Sequence, residues 1–240
     1  MKKIDFSQLP QKAPEYDLRD LLEAGCHFGH QRNKWNPKMS RFIYSQKDGV
    51  HIFDLAKTAK QLQLAFNYFY LLGKQNKKIL MLGTKRHARE VVQETAKEAG
   101  MMYVVSRWLG GFLTNWDQVA QSIKKMQQMR AKFESGEYAK KTKFEQAQLK
   151  KELTRLERFF EGLGDQITLP DAIFVVDAAK ERVAIKEIDG SDIPVIALAD
   201  SNANPDLVAL AIPANDDSVA SISFVVKELG RAYQLGKQEK

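Results

Sequence analysis

The run Gln31-Arg32-Asn33-Lys34-Trp35-Asn36-Pro37-Lys38-Met39-Ser40-Arg41 places four cations, three amides and an indole within eleven residues. Cations neutralise phosphates and release counterions, amides reach sugars and base edges, and Trp35 can stack on an unpaired base. A polar loop around an anchoring Trp would have the same composition. A second run, Ser106-Arg107-Trp108-Leu109-Gly110-Gly111-Phe112-Leu113-Thr114-Asn115-Trp116, offers Arg107 and Asn115 to an RNA. Its paired glycines permit close backbone approach, and Trp108 and Trp116 suit anchoring better than stacking. A third, Gly83-Thr84-Lys85-Arg86 with Arg89 beyond it, follows an apolar strand and opens a helix, where backbone N–H groups point at an anion.

Catalysis finds less support. The phosphate-loop pattern needs a second glycine and Lys-Ser/Thr after Gly83, and both are absent, as is the three-glycine dinucleotide pattern. Asp177 and Asp200 end predicted strands, the edge where α/β enzymes keep their chemistry, but no histidine or lysine stands in recognisable relation to them. Aspartates at such ends are ordinarily caps or turn formers. Cys26, His27 and His30 are close enough in sequence for zinc, yet no second Cys/His cluster completes a site, and His51 and His87 are isolated. No catalytic residue, metal or cofactor is expected.

The elements that must carry these runs can be drawn from periodicity. Residues 1–16 form an irregular arm. Asp17 caps a short helix ended by Gly25, and a loop follows from Cys26 to Ser40. Phe42–Tyr44 and Val50–Phe53 flank Lys47-Asp48-Gly49 as a hairpin. Asp54 caps a helix to about Leu72. Strands at 79–82, 101–105, 172–176, 195–198 and 208–212 alternate with helices at 85–99, 180–188 and 216–235. Short apolar strands separated by helices predict an α/β fold: a doubly wound, parallel sheet of about five strands.

One stretch breaks that rhythm. Val119, Ile123, Met126 and Phe133 are spaced as in a heptad, and Leu149, Leu153, Leu156, Phe160 and Leu163 repeat at 4-3-4-3. Each helix has a single apolar stripe, so the two should close on one another as an inserted antiparallel coiled-coil hairpin over 114–164. The α/β domain then comprises 17–113 and 165–236, with a tail at 237–240. Hairpin lysines, among them Lys124, Lys125, Lys140, Lys141 and Lys143, form a further basic surface, although a charge run is often only a solvated face.

Charge supports a polyanion partner. Residues 1–164 carry 30 Lys/Arg against 17 Asp/Glu, whereas 165–230 carry 4 against 12. The acidic part would avoid RNA and could meet a protein through its turns at 202–206 and 215–217. The single cysteine fits a reducing cytosol, the N-terminus has no secretory pattern, and no apolar segment reaches membrane-spanning length. Two rival classes remain on composition: a nucleotide-using α/β enzyme, for which a phosphate loop and paired catalytic residues are wanting, and a coiled-coil protein-interaction module, which unfilled apolar positions outside the seam would favour, whereas the seam is self-sufficient apart from Arg130.

Segments in fixed order carry a resemblance. They are Leu22 to Gln31, Lys34-Trp35-Asn36-Pro37-Lys38-Met39, Val50-His51-Ile52 through Lys57-Thr58, Gly83-Thr84-Lys85-Arg86, Arg107 to Gly111, and Leu113-Thr114-Asn115-Trp116. They continue with Leu169-Pro170-Asp171-Ala172, Ala184-Ile185-Lys186-Glu187 and Ile212 to Asp217. Together they resemble the family of bacterial small-subunit ribosomal protein two. The resemblance implies a flavodoxin-like domain with a protruding hairpin, and a structural constituent of the ribosome rather than an enzyme. It also implies a cytoplasmic, ribosome-bound place in translation, with small-subunit rRNA and neighbouring small-subunit proteins as partners, including docking of the largest. Neither DNA nor a membrane is implied. The arm of about 16 residues and the shifted 199–205 segment depart from the family pattern. The expected RNA-contacting residues are Arg32, Lys34, Trp35, Asn36, Lys38, Arg41, Lys85, Arg86, Arg89, Arg107, Asn115, Lys124, Lys125, Lys140, Lys141 and Lys143.

Overall fold

A computed structural model describes residues 4–164 and 168–239. The outermost arm residues 1–3, the expected boundary at 165 and the final tail residue lie outside the described residues.

The chain builds two sheets. A small antiparallel sheet, order β1-β3-β2, comprises β1 (Phe28–Gln31), β2 (Ile43–Lys47) and β3 (Val50–Phe53). Asp48 and Gly49 both have positive φ, 51° and 78°, which closes the β2–β3 turn in the sense that matches strand twist. Strand β1 falls inside the segment read as loop. Its sequence, Phe-Gly-His-Gln, has no alternation to announce it, and pairing with β3 rather than propensity makes it a strand.

The main sheet is parallel, order β5-β4-β6-β7-β8, from β4 (Ile79–Leu82), β5 (Met102–Val104), β6 (Ala172–Val176), β7 (Val195–Ala199) and β8 (Leu210–Pro213). This is the doubly wound, flavodoxin-like order, with its reversal between β4 and β6. Alternate strand residues feed two cores. Ile79, Met81, Phe174 and Leu198 face α2 (Leu55–Lys74), α3 (Arg89–Ala99) and α7 (Val219–Gln238). Leu80, Leu82, Val175 and Ala197 face α6 (Arg182–Asp189), Met39 and Phe53 from the small sheet's side, and the hairpin base. Because both faces are covered, every residue of β4, β6 and β7 is buried. Helices α2 and α7 cross closely, since a Cβ at Gly73 would strike the Tyr233 carbonyl and one at Gly236 the Tyr70 carbonyl.

Helices α4 (Trp116–Glu134) and α5 (Lys143–Phe160) form the hairpin. Val119, Ile123, Met126, Met129, Leu153, Leu156 and Phe160 bury one stripe of each helix, continuous with the core beneath, while Phe133 and Leu149 towards the tip are half-buried. Arg130, the residue that interrupts the apolar spacing, turns to Glu157 at 2.9 Å. Thr142 and Glu145 cap the second helix reciprocally.

The arm is more ordered than its composition suggests. It has a short 3-10 turn, Phe6–Gln8, and lays Ile4, Phe6 and Ala13 on the core. Buried Asn67 accepts the backbone N–H groups of Lys12 and Ala13 at 2.8 and 2.7 Å, which fixes the arm on α2. The expected C-terminal tail is largely the last turn of α7, which runs to Gln238.

Candidate nucleic-acid interface

Segment 31–41 is held from below. Met39 and Phe42 are buried anchors, Asn36 N–H donates to the Ser201 carbonyl at 2.7 Å, and Asn36 Oδ1 accepts from Lys38 N–H at 3.0 Å. Asn36 is therefore a cap for the Pro37–Phe42 3-10 turn, and its carbonyl oxygen is already used. Arg32 and Lys34 are exposed and carry no ion pair among the described residues. Lys38 and Arg41 are exposed too, but both lean on Asp206, at 2.9 and 3.3 Å. Trp35 is half-buried, with one face on His51 at a centroid distance of 4.8 Å and 32° between planes.

The 106–116 segment is organised by a carboxylate that periodicity could not single out. Glu187, on α6, accepts from Trp108 Nε1–H at 2.9 Å and from the N–H groups of Gly111, Leu113 and Thr114 at 3.1, 2.8 and 3.1 Å. Burial works to raise its pKa, but those four donors prevail and hold it below the ordinary glutamate value. Trp108, Phe112 and Trp116 pack in series, tilted at 4.6 Å and edge-to-face at 5.7 Å, anchoring the hairpin base. Arg107 and Asn115 stay exposed beside this anchor, and Asn115 spends no side-chain bond on capping α4. On the hairpin, Lys124, Lys140, Lys141 and Lys143 are exposed without ion pairs among the described residues, while Lys125 pairs with Glu152.

Lys85 departs from the expectation. It is enclosed by three carboxylates, Asp177 at 3.2 Å, Asp216 at 2.5 Å and Asp217 at 2.7 Å, with only 15% of its side chain exposed. Burial favours its neutral form, but the surrounding acids win and raise its pKa. The helix read from Lys85 accordingly starts only at Arg89, and the one read from Asp216 starts at Val219 behind Ser218, because both residues turn into this cluster. Arg86 and Arg89 remain exposed; Arg89 Nε–H also donates to the Thr84 carbonyl at 3.0 Å.

The cluster occupies the carboxyl edge of the parallel sheet, where this fold places ligands. Asp200 Oδ1 lies 3.0 Å from His30 Nδ1 and raises that imidazole's pKa, and Asp217 lies 3.7 Å from Nε2. Asp216 is fully buried and its pKa is pushed up to about 8 by burial and by Asp200 and Asp177, against the pull of Lys85. Ligand atoms of His30, Asp216 and Asp217 lie within 4.8 Å of one another, a set with the chemistry to hold a cation. Cys26 and His27, grouped with His30 by sequence, do not join it. Cys26 is buried and His27 stacks on Phe28 at 3.9 Å. A substrate-sized cleft with a nucleophile and base is not what these residues make.

Much of the acidic excess of 165–230 is thereby internal. Asp177, Glu181, Asp200 and Asp216 are buried and Glu187 is half-buried. The Asp/Asn turns expected to face a protein are partly spent at home: Asn204 and Asn215 accept backbone N–H groups, and Asp206 pairs with Lys38 and Arg41. The charge split reads less as two faces than as a basic surface over an acid-lined seam.

The profile of ribosomal protein S2 matches residues 21–236, which takes in both sheets and the whole hairpin. The chain belongs to the ribosomal protein S2 family. Relatives agree along nearly the full length. "Small ribosomal subunit protein uS2" of Thermus thermophilus is 45% identical over 92% of this chain and 85% of its own. The same-named protein of Coprothermobacter proteolyticus is 44% identical over 92% and 82%, and that of Oenococcus oeni 42% over 92% and 85%. A member of the S2 family is a structural component of the small ribosomal subunit, serving translation, and not an enzyme. Among the described residues no helix is long and apolar enough to cross a membrane.

Proposed function

We propose that this S2-family chain binds small-subunit ribosomal RNA through three basic surfaces, the 31–41 segment, the Arg86/Arg89/Arg107/Asn115 edge and the hairpin. It also helps seat neighbouring small-subunit proteins, including the largest, in the cytoplasm. The observation that carries this reading is the contrast in how cations are used. Arg32, Lys34, Arg86, Arg107, Lys124, Lys140, Lys141 and Lys143 are exposed without ion pairs among the described residues, while Asp177, Glu181, Asp200 and Asp216 of the second half are buried. Lys85 is left out of the contact set because its charge is already matched. Phosphate contacts of this kind orient a protein on RNA and carry no sequence information. The hairpin and the loops are fixed at one base by the Glu187 carboxylate and the Trp108–Phe112–Trp116 packing, so they can bridge RNA elements as a rigid bracket.

The test is equilibrium binding of the full chain to small-subunit rRNA across a salt series. Tight binding in dilute buffer that weakens steeply with salt supports the reading. No binding at low salt, with the fold intact by circular dichroism, refutes it.

A further inference from the structure

An open hollow of about 480 Å³ lies between the β2–β3 turn and the start of the 31–41 segment, lined by Gln31, Arg32, Asn33, Trp35, Asp48 and Gly49. Hollows of about 300–1,000 Å³ take one small molecule, so this one has room for a single nucleotide. Its walls are fixed. Arg32 N–H donates to the Gly49 carbonyl at 2.9 Å, tying segment to turn, and His51 backs the indole of Trp35. His51 is itself buried, with both ring nitrogens unpartnered, so the stack is held by packing. The rim carries one cation, two amides and one carboxylate. Asp48 is exposed and has no ion pair among the described residues.

We infer that this hollow takes one unpaired guanine of the RNA, read by Asp48, Trp35 and Arg32. This rests on the RNA reading above and deepens it. A carboxylate only accepts hydrogen bonds. Guanine is the base with two adjacent N–H donors on its Watson–Crick edge, at N1 and N2, so it meets Asp48 in a bidentate pair. Adenine and cytosine set one amino group beside an acceptor nitrogen, and uracil sets one N–H between two carbonyls; both arrangements place lone pairs against the carboxylate. The indole of Trp35 supplies a π-face to the base, Arg32 meets the phosphate, and Gln31 and Asn33 reach the remaining base edge. The positive φ of the β2–β3 turn suits Asp48 locally, but its exposed carboxylate would repel a phosphate backbone, so a base edge is the part of an RNA it can meet. Here the chain reads a base as well as a charge.

The experiment uses the full chain and RNA hairpins of one stem, either fully paired or carrying a single bulged G, A, C or U, with affinity read by fluorescence anisotropy. Bulged G should bind about tenfold tighter than bulged U, the size expected of one bidentate base contact. D48N should erase that preference, so that the four bulged hairpins bind alike, and W35A should weaken every bulged hairpin towards the paired one. Because Trp35 packs on His51, W35F serves as the conservative check and should retain the guanine preference. Equal affinity for all four bulges in the unaltered chain, with ribosomal RNA still bound, overturns this inference and spares the broader one. Loss of binding to every RNA, ribosomal RNA included, overturns both.

Discussion

Replacing Lys85 with Met tests whether this residue is a structural cation or an RNA contact. The Lys85 ammonium sits within 3.2 Å of Asp177, Asp216 and Asp217, and Asp216 is fully buried. Methionine keeps much of the side-chain volume and removes the charge, so the acids are left facing one another in low dielectric. Removing one partner of a buried ion pair costs about 3–5 kcal/mol. In a chain of this size each kcal/mol moves Tm by about 2–4 °C, so K85M should melt about 6–20 °C lower. The loss should grow as pH rises. Asp216 titrates near 8 in the fold against 3.8 for a free carboxyl. Between those values the folded chain holds a proton that the unfolded chain has released, so stability falls as pH rises through that window. Without Lys85 the carboxyl of Asp216 is pushed higher still, and the decline extends further into alkali. Thermal melts by circular dichroism at pH 5.5 and 8.5, with chelator present, should show a Tm deficit larger at the higher pH. An unchanged Tm with weakened rRNA binding would refute the reasoning and return Lys85 to the RNA surface.

The remaining expectations concern the bracket, the hairpin and the arm. Glu187→Ala removes the acceptor of four donors, some from buried backbone, and should cost about 2–4 kcal/mol by denaturant titration. Because the Glu187 pKa is held below the ordinary value, its contribution is present above the unfolded pKa and lost as pH falls through the folded one; a melt series from pH 6 to 3 should narrow the gap between variant and parent. Lys140→Glu with Lys141→Glu and Lys143→Glu should weaken rRNA binding and reduce the log–log salt slope by about 2–3, with the circular dichroism spectrum unchanged. Met126→Ala, in the hairpin seam, should destabilise by about 2–5 kcal/mol and free the tip to proteolysis before the sheet unfolds. Asn67→Ala should release the arm, read as early cleavage near Lys12 in limited trypsin digestion, at a cost of about 1–3 kcal/mol.

The sheet and the hairpin were legible because each rests on a periodic signal. Strands buried on both faces are apolar without alternation, as in Ala172–Val176, and a two-helix seam shows its heptads, as in Leu149, Leu153, Leu156 and Phe160. What escaped was set by tertiary contact. Phe28–Gln31 is a strand only because β3 is there to pair with it. Asn67 and Glu187 look like ordinary polar residues of amphipathic helices until the backbone N–H groups they receive are seen. Lys85 illustrates the same limit at the candidate site. In a list of residues it is one more cation in a loop, and only the arrival of Asp177, Asp216 and Asp217 from the ends of β6 and β8 cancels it. The spacing of Asp216-Asp217 after an apolar strand was a usable hint, since two adjacent acids at the carboxyl edge of a parallel sheet demand a counter-charge.

A doubly wound sheet ordinarily keeps the loops at its carboxyl edge open for a ligand. In this chain that edge is filled. Lys85 bridges the acids that follow β6 and β8, Asp200 after β7 bonds His30 from β1, and Thr84 donates to buried Glu181. The strand ends are thereby fastened to one another and to the small sheet, and His30 N–H adds bonds to Asp200 at 3.1 Å and Ser201 Oγ at 2.8 Å. Segment 31–41 leaves directly from that fastening and is pinned again where Asn36 meets Ser201. The crevice that could have held a small molecule instead sets the direction in which the basic segment points. Under the RNA-binding function proposed above this is a sensible use of the fold, because a bracket gains more from a fixed angle between its contact surfaces than from an open pocket between its strands. It follows that unfolding the cluster should scatter the basic segment without touching a single surface cation. K85M should therefore lose affinity for rRNA only in proportion to its lost fold, and regain it when the fold is restored at low pH or low temperature.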